Sequence, residues 1–174
     1  EAIKHASWSQ SVRPVLEWVD SEEFEKDPKS IKNLSNFDAV IVPGGFGTRG
    51  VEGIIAAIEY VRKNNIPYLG LCYGMQLACI EFARHILKKT DAHTVEVNSK
   101  TKNPIIHINP MQATNVREQK YGGTMRLGAY DCALRKDTKV YKAYGADVIS
   151  ERHRHRYEFN NDYREEMDAA GLQV

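Results

Sequence analysis

Two short apolar runs in the first half of the chain each stop at a glycine-containing turn and give way to a helical repeat. The first, Phe37 to Val42 in "FDAVIVPGG", is continuous rather than alternating, the pattern of a central parallel strand buried on both faces, and Pro43-Gly44-Gly45 halts it. Beyond the turn, Val51, Ile54, Ile55, Ile58 and Val61 recur at helical spacing while Glu52, Glu59, Arg62 and Lys63 face away, and "KNN" ends the helix. The second run, "IPYLGL", leads into a helix from Met75 to Leu87. There Met75, Cys79, Phe82, Ala83 and Ile86 line one side, and Glu81, Arg84, His85 and Lys88 the other. Strand, helix, strand, helix in this order implies right-handed βαβ units on a parallel sheet, hence an α/β fold.

Around this unit the pattern is looser. "EAIKHA" at the start reads as a helix, "VLEWV" (Val15 to Val19) as a β-prone run, and the acidic stretch through Lys32 as holding a short helix. Past Asp91, "PIIHI" and the stretch from Val116 to Leu134 read as strands and hairpins. "KVYKAYG" reads as a short helix, "VISERHRHRYEFN" as a densely basic strand or loop, and "AAGLQV" as the end of a glycine-stopped helix. No repeat or linker marks a boundary, so residues 1–174 form one domain, and both ends have the look of a cut.

The charges exclude several classes of function. Lys and Arg total 24 against 23 Asp and Glu, so no net field draws in nucleic acid or an anionic membrane, and no apolar run is long enough to span a bilayer. The expected partner is a small molecule or a protein. Three cysteines are too few for a disulfide framework and point to a reducing compartment, the cytoplasm.

One of those cysteines stands apart. Gly70-Leu71-Cys72-Tyr73-Gly74 has the spacing of a nucleophile elbow, with glycines two before and two after the central residue, a strand leading in and a helix leading out. A helix N-terminus favours a thiolate there. Without the glycines, a small buried thiol would be the simpler account of Cys72; it remains the account of Cys79 and Cys132, which are expected in the core. The turn "PGGFGTRG" should end the neighbouring strand at the same carboxyl edge of the sheet, where its N–H groups and that of Tyr73 could face a reacting carbonyl oxygen.

"PGGFG" followed about 25 residues later by "GLCYGMQ" resembles the class I glutamine amidotransferases, and "GGTMRLG" with "ERHRHRYEFNN" narrows the resemblance to the glutaminase domains of the CTP synthase family. It covers essentially the whole chain. It implies a three-layer α/β fold, a mainly parallel sheet with helices on both faces. It also implies glutamine hydrolysis through a cysteine thioester, with the ammonia passing to a separate synthetase domain that uses ATP and Mg²⁺ to aminate UTP.

By motif position the resemblance makes Cys72 the nucleophile and gives Gly45 and Tyr73 N–H the oxyanion hole. It sets Phe46 and Gln76 at the glutamine pocket, Glu96 against the substrate's amino group and Arg156 against its backbone groups. Tyr73 replaces the family's usual leucine, with little expected change because that position acts through its N–H. Arg49 is a candidate link to GTP as activator; no cofactor or metal is expected on this domain.

The family's "HPE" motif, whose His serves as base and whose Glu orients it, is not matched by any of His5, His85, His93, His107, His153 or His155. The arginines around His153 and His155 disfavour a metal. Turnover by these 174 residues is therefore expected to be impaired, and the alternative reading is a non-catalytic docking or regulatory module of the same fold.

Overall fold

The computed structural model describes residues 1–108 and 125–174. Helix α1 (Ala2–Ser9) is followed by α2 (Glu22–Lys26) and a 3₁₀ segment (Pro28–Asn36); β1 (Val40–Val42) then leads to α3 (Val51–Lys63), β2 (Tyr68–Gly70) and α4 (Tyr73–His85). The remainder comprises β3 (His93–Thr94), β4 (Pro104–Ile108), β5 (Arg126–Ala133), α5 (Lys139–Tyr144), β6 (Val148–His155), β7 (Tyr157–Phe159) and α6 (Arg164–Ala169).

The βαβα order is as the sequence predicts. β1 and β2 pair in parallel with Val40 opposite Tyr68 and Val42 opposite Gly70, and α3 and α4 pack against each other and against this pair. A second sheet runs β3-β4-β7, parallel at its first pairing and antiparallel at its second, and β5-β6 is a separate antiparallel ribbon. The main core gathers Val51, Ile55 and Ile58 of α3, Leu77, Ile80 and Ala83 of α4, and Ile105 and Ile106 of β4, closed from the other end by Met167 of α6. A smaller cluster of Phe24, Leu34, Ala57 and Val61 fixes α2 and the 3₁₀ segment to α3.

Several expectations need correction. "VLEWV" forms no strand: Val15 is 94% and Trp18 90% exposed, and the segment pairs with no described strand. β1 is not buried on both faces, because the side chains alternate; Val40 and Val42 are half-buried while Ile41, beside Leu69 of β2, is exposed. A groove of about 250 Å³ lies along this strand, lined in part by Trp18, Val19 and Ile41.

Helix α4 is buried nearly all round rather than along one stripe. Met75 and Ile86, expected inside, are exposed, whereas Glu81, expected outside, is 1% exposed. Glu81 tolerates this because Arg62 of α3 grips its carboxylate twice (Nη2–Oε1 2.6 Å, Nε–Oε2 3.0 Å) and His85 Nδ1 lies 3.1 Å away. Cys79 is in the core as expected. Cys132 is not, since it lies on the exposed β5 strand. The predicted hairpin from Val116 falls partly outside the described residues, as do the first three residues of "GGTMRLG".

Candidate active site

Cys72 follows the last residue of β2 by two positions and caps α4, with φ 53° and ψ −103°. A non-glycine residue in that region is strained, and such strain persists only where the surroundings impose it. The flanking glycines impose it by contact. A Cβ on Gly70 would stand 2.6 Å from the Gly74 carbonyl carbon, and one on Gly74 would stand 2.3 Å from the Val42 carbonyl oxygen. The chain thus folds tightly over itself and over the end of β1, which leaves the Cys72 side chain exposed at the carboxyl edge of the β1-β2 pair.

The glycine turn after β1 lies directly against this elbow. The Cβ position of Gly44 is 3.7 Å from Cys72 Sγ, and that of Gly45 is 3.5 Å from the Tyr73 ring. Tyr73 is the first residue of α4, so its own N–H has no acceptor within the helix. Of the turn's glycines, Gly44 thus lies against the thiol and Gly45 against the side chain of Tyr73, the residue that follows the cysteine. Cys79 is chemically distinct from Cys72: burial pushes its thiol up to about 12, which leaves it a neutral core side chain.

The remaining candidates converge from distant parts of the chain. Glu96, half-buried just after β3, accepts a hydrogen bond from the Gly47 N–H (3.2 Å). Gln76, one turn beyond Cys72, is 5% exposed and donates from Nε2 to the Tyr157 carbonyl (3.0 Å), tying α4 to β7. Burial first, and then the Glu96 charge, raise the Tyr157 phenol above its usual range, while the Arg156 guanidinium acts the other way. Phe46 projects from the glycine turn, 89% exposed. Arg49 lies at the end of that turn and pairs with Glu22 and Asp20.

Gly47 of "PGGFG" and Tyr157 of "ERHRHRYEFNN" have no role expected from sequence; theirs depends on contacts 49 and 81 residues away in the chain. A third feature also escapes pattern reading. Glu52, in the first turn of α3, is held by Arg84 of α4 (2.6 Å) and by His93 Nε2 of β3 (3.4 Å), and His93 Nδ1 accepts the Thr94 N–H. No group of three or more metal-ligating side chains stands together among the described residues, and no described helix is long and apolar enough to cross a membrane.

Known proteins resemble this chain over its length. The chain is 51% identical to the CTP synthase of Herpetosiphon aurantiacus and 50% identical to that of Carboxydothermus hydrogenoformans, over its full length in both cases. It spans 32% of the length of each of these relatives. Among solved structures, the glutaminase domain of Trypanosoma brucei CTPS with bound acivicin matches with a TM-score of 0.87 at 38% identity, over 97% of this chain and 63% of that one. The pattern of the family described as glutamine amidotransferase class-I matches residues 1–174. With its elbow cysteine, glycine turn and α/β core, this chain belongs to the class I glutamine amidotransferases.

Proposed function

We propose that the chain is the glutaminase part of a CTP synthase and that Cys72 carries the reaction. The thiolate attacks the side-chain amide carbon of L-glutamine, and the oxyanion that forms is met by the N–H groups of Gly45 and Tyr73. The leaving nitrogen takes up a proton from water, collapse expels it as ammonia and leaves a glutamyl thioester, and water cleaves that ester to glutamate and returns the thiolate. Glu96 takes the substrate ammonium and Arg156 its carboxylate, with Gln76 in the pocket wall and Phe46 at the rim.

The observation that carries this reading is the strained Cys72 backbone beneath a glycine turn whose nearest Cβ position is 3.7 Å from the sulfur. The ammonia would pass to a synthetase domain that binds ATP and Mg²⁺ and aminates UTP in the cytoplasm. GTP, acting through the turn that holds Arg49, would activate the step.

Turnover needs a base for the thiol and for water. Among the described residues no histidine hydrogen-bonds Cys72, and none of the six histidines matches the family's "HPE" motif. In these 174 residues, covalent capture of a glutamine analogue should therefore outpace steady hydrolysis, by several powers of ten where nucleophile and base act as a unit.

Intact mass after exposure to acivicin tests the reading. One adduct on Cys72, suppressed by L-glutamine and absent from Cys72→Ala, is the expected result. Because Cys132 is also exposed, equal labelling of both thiols, or labelling that glutamine does not suppress, would overturn it in favour of a docking or regulatory module.

A further inference from the structure

The Tyr73 side chain does more than fill the position whose N–H faces the site. Its hydroxyl donates to the Gly47 carbonyl at 2.6 Å, and the N–H of that same glycine donates to Glu96 at 3.2 Å. The Gly47 residue is thus gripped at both polar groups, from α4 on one side and from the segment after β3 on the other. The tyrosine ring is 5% exposed and lies under Gly45. Burial, and then the charge of Glu96, raise the phenol to about 12, so the hydroxyl remains a donor throughout the pH range in which the protein folds.

We infer that Tyr73 is a positioning residue, a latch that fastens the glycine turn Gly44–Gly47 over Cys72 and couples it to the carboxylate of Glu96. The consequence is geometric. Gly45 N–H can serve an oxyanion only if the turn is held down on the elbow, and nothing else on α4 bonds to the turn among the described residues. Tyr73 follows the nucleophile directly, so one residue supplies its own N–H to the oxyanion and fixes the second donor through its hydroxyl. Glu96 reports on the same turn from the substrate side: one carboxylate oxygen holds Gly47, and the other is free of that bond to meet an ammonium. A leucine here would keep the N–H and the packing and lose the latch.

This inference rests on the glutaminase reading for its chemical consequence but not for its structural one, and the test separates the two. Tyr73→Phe keeps the ring and removes only the hydroxyl. Backbone hydrogen exchange across residues 46–50 should accelerate about fivefold in this variant, the effect of losing one hydrogen bond, while exchange in the second and third turns of α4 stays as in the wild type. Labelling of Cys72 by acivicin should show a limiting rate lowered by about the same factor, with a half-saturating concentration within twofold of the wild type. Iodoacetamide, which needs no oxyanion donor, should alkylate Cys72 at an unchanged rate.

Unchanged exchange at residues 46–50 would overturn the latch, and faster exchange with unchanged acivicin labelling would overturn its positioning role. Tyr73→Leu provides the same readouts if the phenylalanine variant folds poorly. A wild type that acivicin does not label would count against the glutaminase reading, and hydrogen exchange would still decide the latch.

Discussion

The cysteine elbow and the β5-β6 ribbon are held by different physics. At the elbow, three backbone strands of the chain touch within a few ångströms, and the helix behind it is buried on nearly every side. The ribbon pairs over its whole length, Arg126 opposite His155 through Ala133 opposite Val148, yet Leu127, Tyr130 and Val148 are exposed. Its ladder joins the two strands over their length while their side chains bury little. The elbow depends on close packing and so should be intolerant of small steric changes, whereas the ribbon should absorb them.

The steepest contrast is between two glycines. A Cβ at Gly74 would stand 2.3 Å from a backbone oxygen, which cannot rotate away, while at Gly128 in β5 it would meet nothing within 4 Å and carry only the strain of φ +99°. Gly74→Ala should cost about 3 kcal/mol or more, and Gly128→Ala about 1 kcal/mol. Urea unfolding of the two variants measures both. Equal losses would mean that the elbow is not the sterically closed junction described above.

Ion pairs extend the comparison. Glu81 is fully buried, and its partner Arg62 retains about a third of its exposure, whereas the pair linking the ribbon to β7, Arg126 with Glu158 at 3.6 Å, is partly exposed on both sides. Glu81→Gln leaves the guanidinium facing a neutral amide among core residues and should cost about 2 kcal/mol, below the range for a fully buried pair because Arg62 reaches solvent. Glu158→Gln should cost less than about 1 kcal/mol. The difference between the two losses, read from thermal or urea midpoints, would vanish if Glu81 were relaxed into water.

Acid provides a gentler probe of the junction of α3, α4 and β3. The hydrogen bond from His93, and with it the Arg84 guanidinium, hold the Glu52 carboxyl down to about 2 from an ordinary 4.5, against the opposing effect of burial. A carboxylate with a depressed folded-state value contributes stability in full above about pH 4.5 and loses it as the pH falls toward 2. The Glu52 side chain is 57% exposed, so solvent screens the contribution to about 1 kcal/mol or less. The stability difference between wild type and Glu52→Gln should therefore narrow between pH 5 and pH 3. A difference independent of pH would show that the carboxylate charge is not what ties α3 to α4 and β3.

Local rules made the elbow legible before any coordinates were known. Gly70, Cys72 and Gly74 lie within five residues, and the periodicity of Val51, Ile55, Ile58 and Val61 is the burial pattern observed. What sequence could not supply is non-local. Glu81 looked like a surface charge because its partner Arg62 sits on another helix, and "VLEWV" looked like a strand because β-propensity cannot report the absence of a described ladder partner. Glu96 follows from the resemblance alone, and only the fold brings it to Gly47, 49 residues away. Cys132 departs from the burial usual for a free cysteine because it sits on a strand whose side chains are open to solvent.

The smallest effect should come from the ribbon and appear at a different pH. Burial, then His153, whose Nδ1 lies 3.2 Å from that of His155, and then Arg126 lower the His155 value from 6.5, with Glu158 opposing. For a base whose charged form is disfavoured in the folded state, the unfolded chain takes up the proton first. Stability is then intact above about pH 6.5 and declines as the pH drops through that value, until the folded form also protonates. The strand is half open to water, so the decline should amount to roughly half a kcal/mol, and His155→Asn should remove it while leaving the Glu52 limb below pH 4.5 in place. Two separate acid limbs, each removed by its own substitution, would show that the ribbon and the junction of α3, α4 and β3 titrate as independent parts of one fold. A single limb that either substitution abolishes would mean that the ribbon is energetically coupled to that junction despite its thin packing.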